Sequence, residues 1–180
     1  MRARSLCLCA LFAALTAVGA FLRIPFALSA ITLQFFFTAM AGLLLGPRGG
    51  ALSQAGYVLL GLIGLPVFTA GGGLGYVLHP SFGFLLGLIP SAWLIGRLSR
   101  GRTGRLPLVL ACLAGLGILY AVGLPYMALI LNGYQHKGLS LWALVRGGML
   151  VYLPGDAAKI ALCAFLAPGL RTRLQKFIEA

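Results

Sequence analysis

Residues 49–96 read GGALSQAGYVLLGLIGLPVFTAGGGLGYVLHPSFGFLLGLIPSAWLIG, 48 consecutive positions without Asp, Glu, Lys or Arg. The hydrocarbon core of a bilayer takes about 20 residues of helix, so this run is too long for one crossing and suits two. Its middle shows where the two part. Pro66 and five glycines fall between Gly64 and Gly75, a density of breakers that predicts an irregular loop between two spans. The loop continues through Tyr76, His79 and Pro80, still without a charge. A loop bathed in water is usually more polar, and irregular backbone at membrane depth is tolerated where it is buried in protein or lines a cavity. Residues 64–80 therefore read as a lid or plug over a pocket, with an inert apolar loop as the alternative.

The rest of the chain keeps this character. Of 180 residues, 61% are hydrophobic and 9% charged, with a mean hydropathy of +1.02; a soluble domain carries about 25% charged residues. This is the composition of an integral membrane protein, expected as one substrate-binding domain over residues 1–180. Charges divide it into spans at Ser5–Leu22, within Ile24–Pro47, two within 49–96, from Leu106 to about Asn132, and a short last one from Asp156 through Ile160 to Leu170. The expected fold is an all-α bundle of six transmembrane helices with both termini on one side. Arg2, Arg4, Arg48, Arg97, Arg100, Arg102, Arg105, Arg171, Arg173 and Lys176 lie on the terminal side, ten basic residues against three (Arg23, Lys137, Arg146) opposite, which places the termini in the cytoplasm of a multi-pass plasma-membrane protein. Met1-Arg2-Ala3-Arg4 before an apolar run also suits a signal peptide, with Ala17-Val18-Gly19-Ala20 as a cleavage region. The 18 uncharged residues from Ser5 to Leu22 nearly span a bilayer, however, and favour a retained helix. Between the last two spans, Leu139, Trp142, Leu144, Val145, Met149 and Leu150 around Arg146 suggest a short helix lying at the interface.

The net charge of +12 does not point to nucleic acid, because the basic residues sit between apolar runs rather than forming a patch with interleaved aromatics. Cys7, Cys9, Cys112 and Cys163 match no metal-ligand spacing, and neither a metal nor a cofactor is expected. No Ser/His/Asp constellation stands out, and Gly71-Gly72-Gly73-Leu74-Gly75 lacks the Lys-Ser/Thr of a phosphate loop. The chain is not expected to be an enzyme or to hydrolyse ATP itself.

Only two residues are acidic, and one of them, Asp156, falls in Leu153-Pro154-Gly155-Asp156-Ala157-Ala158-Lys159 just ahead of an apolar run. Pro and Gly before a carboxylate suit a helix start, where the dipole favours negative charge. A helix would set Asp156 and Lys159 on one face. A charge within a bilayer costs about 2.5–3.5 kcal/mol on insertion scales, so this pair is the first candidate for a substrate site; a structural ion pair closing the bundle end is the other reading. Gln34, Tyr76, His79 and Asn132 are further polar groups in or beside apolar spans. In the first span Ala10 and Ala14, and Ala13 and Ala17, form small-residue faces for close helix approach, within the chain or to another subunit.

Four separated motifs then agree with one family. Ile31-Thr32-Leu33-Gln34 resembles the V-T-L-Q that begins the second helix of BioY, the biotin-specific S component of energy-coupling factor (ECF) transporters. Ala41 to Ser53 resembles its AGLLLGPR-x-GALS, Tyr57 to Phe68 its YLLLG-x-x-GLPVF, and Leu153-Pro154-Gly155-Asp156 with Lys159 its LPGD-x-x-K. The chain departs from the family at His79-Pro80-Ser81-Phe82-Gly83-Phe84, where Gly-Pro-Thr-Gly-Gly-Tyr is usual; the absent tyrosine hydroxyl and the added Phe82 would reshape the pocket wall. The resemblance implies an ECF S-component-like bundle with an outward-facing pocket for biotin under the glycine-rich loop. It implies as partners a T subunit and two ATP-binding-cassette ATPases, and leaves dependence on them open. In this reading Asp156 accepts from the ureido N–H groups, Lys159 donates to the ureido oxygen, Tyr76, Phe68 and Phe84 wall the apolar part, and Asn132 or backbone N–H groups of the loop meet the carboxylate. An S component for another vitamin, or a structural membrane subunit, are the alternatives.

Overall fold

The computed structural model describes residues 3–26 and 29–179, with side chains for all of these except 24–31 and 175–179. Arg2 therefore lies outside the described residues. Helix α1 (Ala3–Phe21) buries Leu8, Phe12, Thr16 and Ala20, four apart along one face, and leaves Leu11, Val18 and Phe21 on its outside. That distribution is expected where the solvent is lipid, since apolar side chains need not be hidden. A hairpin follows: β1 (Arg23–Phe26) pairs antiparallel with β2 (Ser29–Thr32), Arg23 opposite Thr32. The helix expected within Ile24–Pro47 lies in the second part of that stretch. The first residues of the stretch form a two-stranded ribbon, and helix begins only at Gln34.

Helix α2 (Gln34–Leu62) is continuous in hydrogen-bond assignment but not in direction. Gly46 takes φ 73° and ψ −174°, a conformation open to glycine, and Pro47 follows as the first residue of the second half. Contacts then pair residues whose numbers move oppositely. Gln34 bonds to Tyr57, Thr38 bonds to Gln54, and Gly50 approaches Gly42. The halves 34–45 and 47–62 are therefore antiparallel neighbours. Gln54 also donates to Thr16 of α1 at 3.2 Å. Such interhelical bonds are worth about 0.6 to 2 kcal/mol each in an apolar surrounding and help set the register of the three segments.

The chain continues through the loop to α3 (Phe82–Leu98) and α4 (Arg105–Ala128), whose end widens into a π turn over Leu129–Tyr134. The segment that follows holds α5 (Leu141–Val145), capped by the Ser140 hydroxyl, and a second π turn over Arg146–Leu150; Leu141 and Trp142 are exposed. Helix α6 runs Leu153–Glu179. It was expected to be the shortest span and is one of the longest helices, because Arg171 and Arg173 end the apolar stretch without ending the helix. Among the described residues, four segments are long and apolar enough to cross a membrane: Ala3–Phe21, Gln34–Leu62, Arg105–Tyr134 and Leu141–Leu174; Phe82–Leu98 is a shorter apolar helix. The structure is thus a helical membrane bundle with one added hairpin.

Candidate functional site

Helix α6 begins as its sequence suggests, with Asp156 in the first turn and its N–H bonded to the Tyr152 carbonyl. The three-residue spacing brings Lys159 Nζ to 2.8 Å from Asp156 Oδ1. The other carboxylate oxygen accepts from the Tyr120 hydroxyl of α4 at 2.5 Å. All three residues are buried. The pair is thereby neutral overall, and each charge has a hydrogen-bonding partner, which a charge out of water requires.

This cluster forms one wall of a cavity of about 90 Å3. Gln34, Thr32 and Phe35 also line it, together with the apolar Phe84, Leu85, Leu88 and Leu119 and with Thr69 and Ser81, which flank the glycines at 71–75 in sequence. A mostly apolar concavity with a few converging polar groups is the usual form of a small-molecule site. The carboxylate accepts and the ammonium donates within one turn, so the wall matches a neutral polar group that carries both N–H and C=O.

The glycine-rich loop is packed down rather than extended into water. Phe68 is 1% exposed; its ring stands edge-on to Tyr57 and lies 4.7 Å from Tyr76. It occupies the space where a side chain on Gly61 would be, since a Cβ there would fall 1.9 Å from the ring. Tyr57 receives a hydrogen bond from Gln34 and donates one to the Val67 carbonyl, so a cavity residue and the loop share one hydroxyl. From the hairpin, the Arg23 guanidinium donates to the Thr69 carbonyl. Tyr76 Oη lies 2.8 Å from the Thr69 hydroxyl and 3.3 Å from that of Ser81, and His79 stacks on the Tyr76 ring with Nδ1 2.7 Å from Ser81 Oγ. Burial lowers the His79 pKa from its ordinary value.

Of the residues singled out in sequence, Asp156, Lys159, Gln34 and Phe84 are brought together around the cavity. Phe68, Tyr76 and His79 hold Thr69 and Ser81 from behind. Asn132 is placed elsewhere: its amide both donates to and accepts from the Leu139 backbone at 2.8 Å, fastening the α4–α5 connection. Of the alanines, Ala10 and Ala14 are exposed, whereas Ala13 is buried and Ala17 partly so; only the first pair offers an outward small face. Sequence reasoning missed Tyr120, Tyr152, Thr69 and Ser81. The two tyrosines lie in apolar segments where nothing local marks them, and Tyr120 is 36 positions from the carboxylate it serves.

Comparison with known proteins identifies relatives of this chain. The chain is 49% identical over 168 residues to a probable biotin transporter BioY of Lysinibacillus sphaericus, covering 92% of this chain and 86% of the relative. It is 36% identical over 172 residues to the biotin transporter BioY of Thermotoga maritima, covering 93% and 96%. Its fold superposes with a TM-score of 0.78 on the crystal structure of the S-component for biotin from an ECF-type ABC transporter, at 29% identity and over 94% of this chain and 91% of that one. The sequence profile of the BioY family matches residues 1–176, and the chain belongs to that family.

Proposed function

We propose that this protein is the biotin-recognising membrane component of an ECF-type transporter and that biotin binds in the cavity beside Asp156 and Lys159. The observation that carries the reading is the buried acid–base pair, steadied by Tyr120, at the wall of an apolar-sided cavity under an apolar loop. Biotin's ureido group has N–H donors for the carboxylate and an oxygen for the ammonium. Charge-assisted bonds of this kind are roughly twice as strong as neutral ones. Phe84, Leu85, Leu88 and Leu119 suit the thiophane ring and its aliphatic chain. Loop 64–80 acts as the lid, with Phe68 as its anchor. The protein has no chemical step of its own. It captures and releases, and the T subunit with two ATPases supplies the energy, docking at the outward face of Ala10 and Ala14.

The antiparallel halves of α2 each cross the membrane, giving six crossings together with α1, α3, α4 and α6. The ten-to-three distribution of basic residues sets both termini in the cytoplasm, and the cavity then faces outward from the plasma membrane.

The test is equilibrium binding of radiolabelled biotin to the purified chain and to Asp156→Asn and Lys159→Ala. Each variant removes a charge-assisted hydrogen bond to the ureido group, worth about 1.5–3 kcal/mol, so binding should fall by roughly tenfold to a hundredfold while the chain still inserts and purifies as a single species. Normal binding by either variant overturns the ureido assignment. Stabilisation of the wild-type chain by riboflavin or thiamine, and not by biotin, overturns the ligand.

A further inference from the structure

A second concavity, of about 960 Å3, opens at the end of the bundle where the turn at Gly46, the end of α3 and the last turns of α6 meet. Five arginines line it: Arg48, Arg97, Arg100, Arg102 and Arg171. The packing that gathers them is tight. A Cβ on Gly96 would lie 2.5 Å from Gly46 and Pro47, so glycine lets α3 touch the turn of α2 and brings Arg97 beside Arg48. The α3–α4 turn then carries Arg100 and Arg102.

Arg171 forms the floor. Its guanidinium donates to the carbonyls of Leu43, Ser99 and Arg102 and to the Ser99 hydroxyl, tying α6 to both neighbouring segments. Those acceptors are all neutral, so the charge is held in place and not cancelled. Arg97 lies over the Trp93 ring at 5.5 Å, again without a counter-charge. The sequence contains two acids, Asp156 and Glu179. The first is paired with Lys159, leaving at most one acid for five arginines. The cleft therefore calls for an anion from outside the chain.

We propose that this cleft binds the phosphate headgroup of an anionic phospholipid. Charge selects an anion, and the walls select an amphiphile. Leu44, Leu45, Leu108 and the 42% exposed Trp93 line the same space as the arginines. An exposed Trp under an Arg marks the depth of the membrane–water interface, and basic pockets between transmembrane helices suit lipid headgroups. Arginine's planar fork fits phosphate oxygens in pairs. The cleft uses none of the residues of the biotin cavity, so it stands or falls independently of the ligand proposed above.

The test is native mass spectrometry of the purified chain titrated with phosphatidylglycerol and with phosphatidylcholine, alongside the triple variant Arg48→Gln, Arg100→Gln, Arg102→Gln. These three side chains are exposed, so their replacement leaves the Arg171 hydrogen bonds intact; an unchanged thermal unfolding midpoint verifies folding. The wild type should retain phosphatidylglycerol in preference, and retention should fall with salt. Each lost charge should weaken it roughly fivefold, and all three about a hundredfold. Equal retention of the two lipids overturns the proposal. So does full competition by inorganic phosphate, which marks a small-anion site. A triple variant that keeps the lipid but loses co-purification with a T subunit also overturns it, and marks a protein-docking face.

Discussion

Replacing Gly61 by alanine adds one methyl group where α2 meets the loop over the cavity. That methyl carbon would lie 1.9, 2.2 and 2.4 Å from three atoms of the Phe68 ring. The ring cannot slide aside, because Tyr57 and Tyr76 hold it at centroid distances of 5.5 and 4.7 Å. It must leave. Expelling a buried phenylalanine forfeits about 1.5–3 kcal/mol of transfer free energy, and each lost aromatic contact about 0.5–1.5 kcal/mol more. The substitution also favours helix by about 1 kcal/mol, but α2 is helical with the loop open or closed, so that gain leaves closure unaffected. The closed loop is thus weakened by about 2.5–6 kcal/mol. If closure accompanies binding, the apparent biotin affinity falls by the fraction still closed, from roughly seventyfold to roughly ten-thousandfold. The assay is equilibrium binding and dissociation of radiolabelled biotin, with the effect expected mainly in a faster off-rate. Gly56→Ala is the control, since it lies in the same helix and a Cβ there meets nothing within 4 Å; its binding should be normal. If Gly61→Ala releases biotin at the wild-type rate, Phe68 does not anchor a lid.

Tyr120→Phe removes the hydroxyl that donates to Asp156 and keeps the ring. A hydrogen bond to a charged group is worth about 1.5–3 kcal/mol, and biotin affinity should drop at least tenfold with little loss of the bundle; an unchanged Kd removes Tyr120 from the site. Ala14→Trp places a large side chain on the outward face of α1. Biotin binding should persist while uptake with the T subunit and ATPases falls, and normal uptake would move the docking face elsewhere. His79 is held below its ordinary pKa by burial, so the packed loop favours the neutral ring. Closure is then fully supported above about pH 6.5, the ordinary histidine value, and weakens as acidification protonates the ring of the open loop. Biotin release should quicken as the pH falls below about 6.5, and His79→Gln should remove that dependence; a pH-independent wild type rules the ring out.

What the sequence made legible was chemistry that is out of place in lipid. Asp156 and Lys159 stood out because a bilayer penalises charge, and a three-residue step on one helix is enough to join them. The breakers between Gly64 and Gly75 announced a loop, and Arg48 stands next to the reversal at Gly46 and Pro47. Apolarity alone did not mark where elements begin and end. Ile24-Pro25-Phe26 is as greasy as a helix but forms a strand, and Arg171 closes a hydrophobic stretch in the middle of α6. Apolar composition reports which solvent a segment tolerates, whereas backbone conformation is decided by what pairs with it.

The polar residues sharpen the point. Gln34 and Gln54 are both buried glutamines in apolar helix, and no rule of composition separates them. Gln54 bonds to Thr16, Thr38 and Ser53 and is consumed in joining helices, while Gln34 bonds to Thr32 and Tyr57 and still borders the cavity. Asn132, equally conspicuous in sequence, is spent on the Leu139 backbone seven positions away. A polar group in such a chain must find partners wherever it sits, so its presence says only that it is satisfied. Whether a ligand is among the partners depends on which helices surround it. Tyr120 shows the converse: a residue ordinary in its own helix joins the site because α4 passes beside the first turn of α6. The hydroxyl shared by Gln34 and the Val67 carbonyl belongs to the same class, and it gives the cavity a direct hold on the loop that covers it. Loss of Phe68 packing and loss of the Tyr57 bridge should therefore act on the same step, so Gly61→Ala and Tyr57→Phe combined should speed biotin release by less than the product of their separate effects.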